Sequence, residues 1–254
     1  MTALKSPFRY PGSKAKLLPQ ILSRLPEELP AFCDVFVGGG SVTIAVAESR
    51  HDTVLIINEA DSCVRSFWQE VVSGPQDLIE KVLCFTPSVE AFYRLQEEKD
   101  SAFAGIALNR MAFAGILHAS PIGGRNQTSR WTVGCRWNAQ KLASDIMQLH
   151  VLLRGRTSVF GFDASFSRMW AGFVYADPPY YKQGKALYRK SVNHEQLAGS
   201  LQDRREGSWL LSYDDAPEIR RLYEGCRIEE VPVRYCGKGA KQTWESKKEL
   251  LISS

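Results

Sequence analysis

The chain has 254 residues, 44% of them hydrophobic and 24% charged, with a formal net charge of +4. That balance excludes an intrinsically disordered chain, and the short, interrupted apolar runs exclude a bilayer-spanning helix. A mild positive excess is compatible with a polyanionic partner and specifies none.

In chain order, the first segment, MTALKSPFRYPGSK, has no apolar signal-peptide core, so a cytoplasmic location is expected. Residues 14–25 carry Leu17, Leu18, Ile21, Leu22 and Leu25 at helical spacing and stop before Pro26. An apolar run over 32–37 ends in Gly38-Gly39-Gly40, with Ser41 placed to cap a helix over 42–48. Residues 53–57 read as a second strand. Strand, glycine turn, helix and strand open a doubly wound α/β domain. Glycines after a strand serve a tight turn, or let a cofactor approach the backbone. Glu59 follows the second strand, about 20 residues beyond the turn, where such folds hold ribose hydroxyls; on its own it also reads as a surface acid.

The character changes over 61–145. Residues 62–72, 88–99 and 102–113 have helical spacing, and 139–153 forms a further helix. Between them, 119–138 is rich in Gly, Arg, Asn and Trp and is expected to form a hairpin. We therefore expect an inserted, mainly helical subdomain at 61–145, with 1–60 and 146–254 making the α/β domain. Strands are expected at 158–162, 172–176 and 209–213, helices at 194–203 and 216–223, and a closing antiparallel pair at 227–234 and 249–253. The six cysteines have no CxxC pair and no histidine nearby, so reduced thiols and no metal site are expected.

Asp177-Pro178-Pro179-Tyr180 follows the apolar run Phe173-Val174-Tyr175-Ala176. Two prolines fix the backbone and remove two N–H donors, leaving carbonyl acceptors at the strand end where open α/β sheets bind ligands. Asp177 and the Pro178 carbonyl can grip an amino group while its ring stacks on Tyr180, which suits a base drawn out of a duplex. A rigid loop with an incidental acid is the structural alternative.

Four segments in order resemble the Dam-like DNA adenine N6-methyltransferases of the D12 class: Phe8-Arg9-Tyr10-Pro11-Gly12-Ser13-Lys14, residues 34–41, Asn58-Glu59-Ala60-Asp61, and Asp177-Pro178-Pro179-Tyr180. The resemblance implies a Rossmann-like class I methyltransferase sheet and S-adenosylmethionine as cofactor. By position, it places Tyr10 and Lys14 at the cofactor's methionine end, and Asp34, Phe36, Gly38, Gly40 and Ser41 in the cofactor loop. Glu59 falls on the ribose, where relatives commonly carry aspartate, and Asp163 on the adenine. Asp61 stands where relatives often have asparagine. Asp177, which the cofactor also adjoins, acts with Pro178, Pro179 and Tyr180 on the substrate.

The inserted region resembles the family's target-recognition part. It offers Arg110, Arg125, Arg130 and Arg136 for phosphate or guanine contacts, and Asn126, Gln127 and Trp131 for reading or wedging bases. Any single arginine there also reads as part of a solvated loop. Phe113-Ala114-Gly115 departs from the aromatic-Asn-Gly of some GATC-modifying members. Pro121-Ile122-Gly123-Gly124 and Cys135-Arg136-Trp137-Asn138 look closer to phage or prophage members. The expected function is methylation of adenine N6 in double-stranded DNA by a monomer, in a bacterial or phage-infected cell, with no metal and no membrane. Methylation of cytosine N4 or of an RNA base, and a non-catalytic nucleic-acid binder retaining the fold, are the alternatives.

Overall fold

The computed structural model of the chain describes residues 4–9, 12–161, 172–181, 192–204, 207–236 and 244–254, with 233–236 and 244–247 described as backbone. Seven strands form one sheet: β1 (Ala31–Asp34), β2 (Val54–Asn58), β3 (Thr157–Phe160), β4 (Phe173–Ala176), β5 (Trp209–Asp214), β6 (Arg227–Cys236) and β7 (Trp244–Ser253), in the order β3-β2-β1-β4-β5-β7-β6. The first five are parallel, and β7 runs antiparallel between β5 and β6. This is the expected doubly wound α/β sheet with a closing antiparallel pair. Strand order reverses between β1 and β4, which opens a crevice at the carboxyl ends of the strands.

The helices are α1 (Leu18–Leu22), α2 (Ser41–Ser49), α3 (Ser62–Ser73), α4 (Gln76–Cys84), α5 (Val89–Glu97), α6 (Ala102–Met111), α7 (Ala139–Leu153), α8 (His194–Gln202) and α9 (Pro217–Leu222). The two faces of the sheet are read from alternate residues. Phe32, Tyr175 and Leu210 pack with α2, α3, α6 and α7, whereas Cys33, Val174 and Leu211 pack with α8 and α9. Residues from 61–145 share the first of these cores with the sheet instead of building a separate one: Phe67, Trp68, Ile106 and Leu108 join Phe32, Leu55 and Ile57.

Several elements depart from the sequence expectation. The helix expected over 14–25 is a 3₁₀ turn at Lys14–Lys16 followed by α1, because Pro19 lacks an N–H and fits only the first turn of a helix. Ser41 does not cap α2; it is the first helical residue, and Gly40 at φ 71° is the N-cap. The helix α4 was not expected, although Leu78, Ile79, Val82 and Leu83 carry helical spacing. No hairpin forms over 119–138. That segment is a series of turns with one isolated bridge, Ala112 to Pro121, and Gln127 braces it from inside. Turn bonds within the segment and the side chains of Gln127 and Ser129 satisfy backbone groups locally, so no ladder is needed.

Candidate active site

The carboxyl ends of β1, β2 and β4 bring three sequence-distant acids together. β1 ends in Asp34, β2 leads into Glu59, and β4 leads into Asp177. Between the first two lies the glycine turn. Gly38 and Gly40 have φ of 45° and 71°, and a Cβ at Gly40 would stand 2.5 Å from the ring of Trp68. Only glycine fits there, since both the conformation and the indole exclude a side chain. Trp68, fully buried on α3, also donates its Nε1–H to the Gly38 carbonyl at 3.0 Å. The turn is thus held by a helix of the 61–145 segment.

Glu59 is buried, and its carboxylate accepts from Gly38 N at 3.0 Å and from Asp61 N at 2.8 Å. Burial pushes its pKa up to about 7, against the lowering by those two backbone donors. Asp34 is also buried. It accepts from Thr43 Oγ1 at 2.7 Å and from Phe36 N at 3.4 Å, and burial raises its pKa to about 7 despite the Thr43 bond. Asp61 turns its side chain to Cys63 N and Val64 N as the N-cap of α3.

Lys14 is 2% exposed. Its Nζ stands 2.6 Å from Asp177 Oδ1 and 3.6 Å from Glu249 Oε2, and it donates to Tyr180 OH at 3.0 Å and the Gly12 carbonyl at 3.1 Å. The ammonium also lies 4.9 Å from the Tyr180 ring centroid. Burial alone would favour the neutral amine, but Asp177 and then Glu249 hold Lys14 firmly protonated. Asp177 accepts as well from Ser212 Oγ at 3.0 Å, and the Ser212 hydroxyl is 2.9 Å from Tyr175 OH. Burial raises the Asp177 pKa, with Lys14 pulling it down. Pro178 is buried and Pro179 half-buried, which fixes the Asp177-to-Tyr180 turn against the sheet end.

The structure therefore brings Lys14, Asp34, Phe36, Gly38, Gly40, Ser41, Glu59, Asp177, Pro178, Pro179 and Tyr180 to one sheet edge; Tyr10 and Asp163 lie outside the described residues. Sequence reasoning missed Glu249, Ser212, Thr43 and Trp68. Glu249 gave one usable signal, a carboxylate at the head of the apolar run Leu250-Leu251-Ile252.

The residues expected to meet DNA divide into two groups. Arg125, Asn126, Arg130, Trp131 and Arg136 are exposed. Arg125 lies over the Tyr93 ring at 4.6 Å and donates to its hydroxyl at 3.1 Å, while Arg130 and Arg136 lie 5.2 Å and 6.0 Å from the Trp131 centroid. Arg110 and Gln127 face inward. Arg110 donates to the carbonyls of Arg136 and Pro7 at 3.0 Å and 3.1 Å. Gln127 donates to the Ile122 and Gly124 carbonyls and accepts from Val133 N. Among the described residues, no group of His, Cys, Asp and Glu could hold a metal ion, and no helix is long and apolar enough to cross a membrane.

Residues 10–235 match the family model described as D12 class N6 adenine-specific DNA methyltransferase. The chain is 26% identical to the modification methylase StsI of Streptococcus sanguinis over 76% of its own length, and spans about a third (32%) of that protein. It is 21% identical to the type II methyltransferase M1.LlaDCHI of Lactococcus lactis subsp. cremoris, covering 98% of this chain and 95% of that one. Among solved structures, it is similar to the precorrin-6y C5,15-methyltransferase of Geobacter metallireducens, with 12% identity, TM-score 0.45, and coverage of 94% of this chain and 86% of that one.

Proposed function

The chain belongs to the D12 class of N6 adenine-specific DNA methyltransferases, and from that membership we propose that it transfers a methyl group from S-adenosylmethionine to N6 of adenine in double-stranded DNA. The observation that carries the reading is Asp177. It is an acceptor-only carboxylate at the end of β4, fixed by two prolines, 2.6 Å from a buried lysine and on the same sheet edge as the glycine turn.

The residues fit the cofactor by charge. Asp34, Glu59 and Glu249 are buried carboxylates, partly exposed Asp177 adds a fourth acid, and Lys14 is the one buried ammonium among the described residues. Such an edge suits a cationic ligand. S-adenosylmethionine supplies a methyl group already activated on a sulfonium. Asp34, Phe36, Gly38, Gly40 and Ser41 would hold it, with Glu59 on the ribose, Asp163 on the adenine, and Tyr10 and Lys14 at the methionine end.

The adenine amino lone pair is delocalised into its ring, so N6 is a poor nucleophile. Asp177 and the Pro178 carbonyl would accept hydrogen bonds from the two amino protons, which favours a tetrahedral nitrogen with an available lone pair. Tyr180 would stack on the base and fix its orientation. Positive charge that grows on N6 is opposed by the Asp177 carboxylate, and the surplus N6 proton passes to solvent. A base inside a duplex does not reach this edge, so the target adenine is flipped out. We assign recognition to the segment 61–145, through Arg125, Asn126, Arg130, Trp131 and Arg136 at the surface. Arg110 and Gln127 support that surface from within. The enzyme acts as a monomer.

The test is transfer of labelled methyl to unmethylated genomic DNA, followed by digestion to nucleosides. Label in N6-methyladenine is expected, together with its loss in Asp177→Ala while duplex binding persists. Label in N4-methylcytosine would overturn the base assignment. No label in DNA, with label in RNA offered in parallel, would overturn the DNA assignment, and full activity of Asp177→Ala would overturn the role of Asp177.

A further inference from the structure

Glu249 lies on β7, far along the chain from the Asp177-to-Tyr180 turn, and it is 2% exposed. Its backbone is set by the antiparallel register opposite Asp214 of β5. One oxygen accepts from Tyr180 OH at 2.7 Å, and the other stands 3.6 Å from Lys14 Nζ. The same Nζ is 2.6 Å from Asp177 and 3.0 Å from Tyr180 OH. One buried ammonium is therefore shared by two carboxylates, with a tyrosine hydroxyl joined to both the ammonium and Glu249.

We propose that Glu249 is a positioning residue for the transfer step: by taking a share of Lys14 and fixing Tyr180, it leaves Asp177 able to exchange its lysine for the amino group of the substrate. The inference rests on the reading of Asp177 as the group that grips that amine. Asp177 Oδ1 already accepts from Lys14 and Ser212. A carboxylate closed into a one-to-one ion pair is a poor acceptor for a neutral amine, because loosening the lysine costs charge–charge attraction. A second carboxylate beside the lysine lowers that cost, since Lys14 keeps an anionic partner as it yields Asp177. The same charge makes Asp177 more basic: Glu249 raises its pKa, after burial and against Lys14. The other groups facing Asp177 are Tyr175 beside it on β4, Tyr213 and the Ser212 hydroxyl on β5, and Asp34 from β1. Glu249 also contacts both Lys14 and Tyr180.

Glu249→Gln keeps the size and an acceptor for the Tyr180 hydroxyl but removes the charge. Two readouts are taken. The first is the titration of the Asp177 carboxyl carbon by NMR in cofactor-free protein, assigned by its disappearance in Asp177→Asn. In Glu249→Gln its midpoint is expected to move down by about one pH unit, since a like charge has been removed. The second is the pH profile of methyl transfer. The acid limb of kcat/KM is expected to follow the NMR midpoint down, and kcat to fall about tenfold with little change in KM for DNA, as for a contact felt in the transition state. An unchanged Asp177 midpoint, or an unchanged kcat, overturns the proposal. If Glu249→Gln does not fold, Glu249→Asp withdraws the carboxylate by one methylene: a smaller downward shift and a reduced kcat support the proposal, and wild-type values of either overturn it. A wild-type protein with no transfer activity would overturn the methyltransferase reading instead, while the NMR titration still decides whether Glu249 acts on Asp177.

Discussion

Lys14 shows how far a side chain's role depends on what the fold places around it. An ammonium taken almost wholly out of water is expensive unless charges and acceptors surround it, and Asp177, Glu249, Tyr180 and the Gly12 carbonyl do so. Lys14→Met should abolish methyl transfer and leave buried Glu249 and partly exposed Asp177 without their cation. Breaking such a pair costs about 3–5 kcal/mol, read as a lower denaturant midpoint, and the loss should shrink as the pH falls and the acids protonate. Asp34 and Glu59 make a second residue-level prediction. Both titrate near pH 7 when folded, whereas unfolded carboxyls titrate near pH 4. Between about pH 4 and 7 the folded chain binds more protons than the unfolded one. Stability is therefore greatest below pH 4 with respect to these two groups, is lost as pH rises through 7, and is level above, on the order of 1 kcal/mol per group per pH unit. A cationic cofactor favours the ionised acids, so S-adenosylmethionine should release protons on binding near pH 6.5. Calorimetry in buffers of different ionisation heat measures this, and an enthalpy that is the same in every buffer would contradict it.

At the level of elements, the helices of 61–145 support the sheet edge as well as extending from it. Trp68 on α3 holds the Gly38 carbonyl, and Phe8 packs on Phe67 and Trp68 with ring centroids at 4.7 Å and 6.3 Å. Trp68→Phe should lower stability by about 1–2 kcal/mol through the lost hydrogen bond and the reduced volume. Because the glycine turn rests on the indole, S-adenosylmethionine should also bind this variant more weakly, as isothermal titration would show. On α6, fully buried Asn109 accepts from Arg9 N at 2.7 Å and donates to the carbonyls of Arg9 at 3.2 Å and Gly115 at 2.8 Å. It joins the N-terminal segment to the turn at Phe113–Gly115. The approach is close enough that a Cβ on Gly115, at φ 77°, would meet the Arg9 carbonyl at 1.9 Å. Asn109→Leu should cost about 2–4 kcal/mol in urea melts, because three backbone groups lose their partner inside the protein.

At the scale of the whole molecule, the arginines of 110–136 separate by what they already bind. Arg125, Arg130 and Arg136 are exposed and rest on aromatic rings, so their charge is available to a phosphate. Each of these three changed to Ala should reduce the slope of log affinity for duplex DNA against log salt by about one. Arg110→Ala should leave that slope near the wild-type value and lower stability instead, since its guanidinium is spent on the carbonyls of Pro7 and Arg136. Fluorescence anisotropy over a salt series, with thermal melts of the same variants, distinguishes the two behaviours.

The sequence by itself determined the sheet, the glycine turn and the Asp-Pro-Pro-Tyr corner. Short continuous apolar runs, glycines between elements and consecutive prolines act through local backbone chemistry, so they are legible without knowing their neighbours. The tertiary structure decided what local chemistry does not reach. It set the partners of Lys14, which come from segments more than 160 and 230 residues away. It gave Glu249 its place at the site through the register of an antiparallel strand, turned Gln127 and Arg110 inward, and resolved 119–138 into turns where a hairpin was expected. Polar side chains at such positions look alike in sequence whether they meet water or a buried carbonyl, and only packing at long range separates the two.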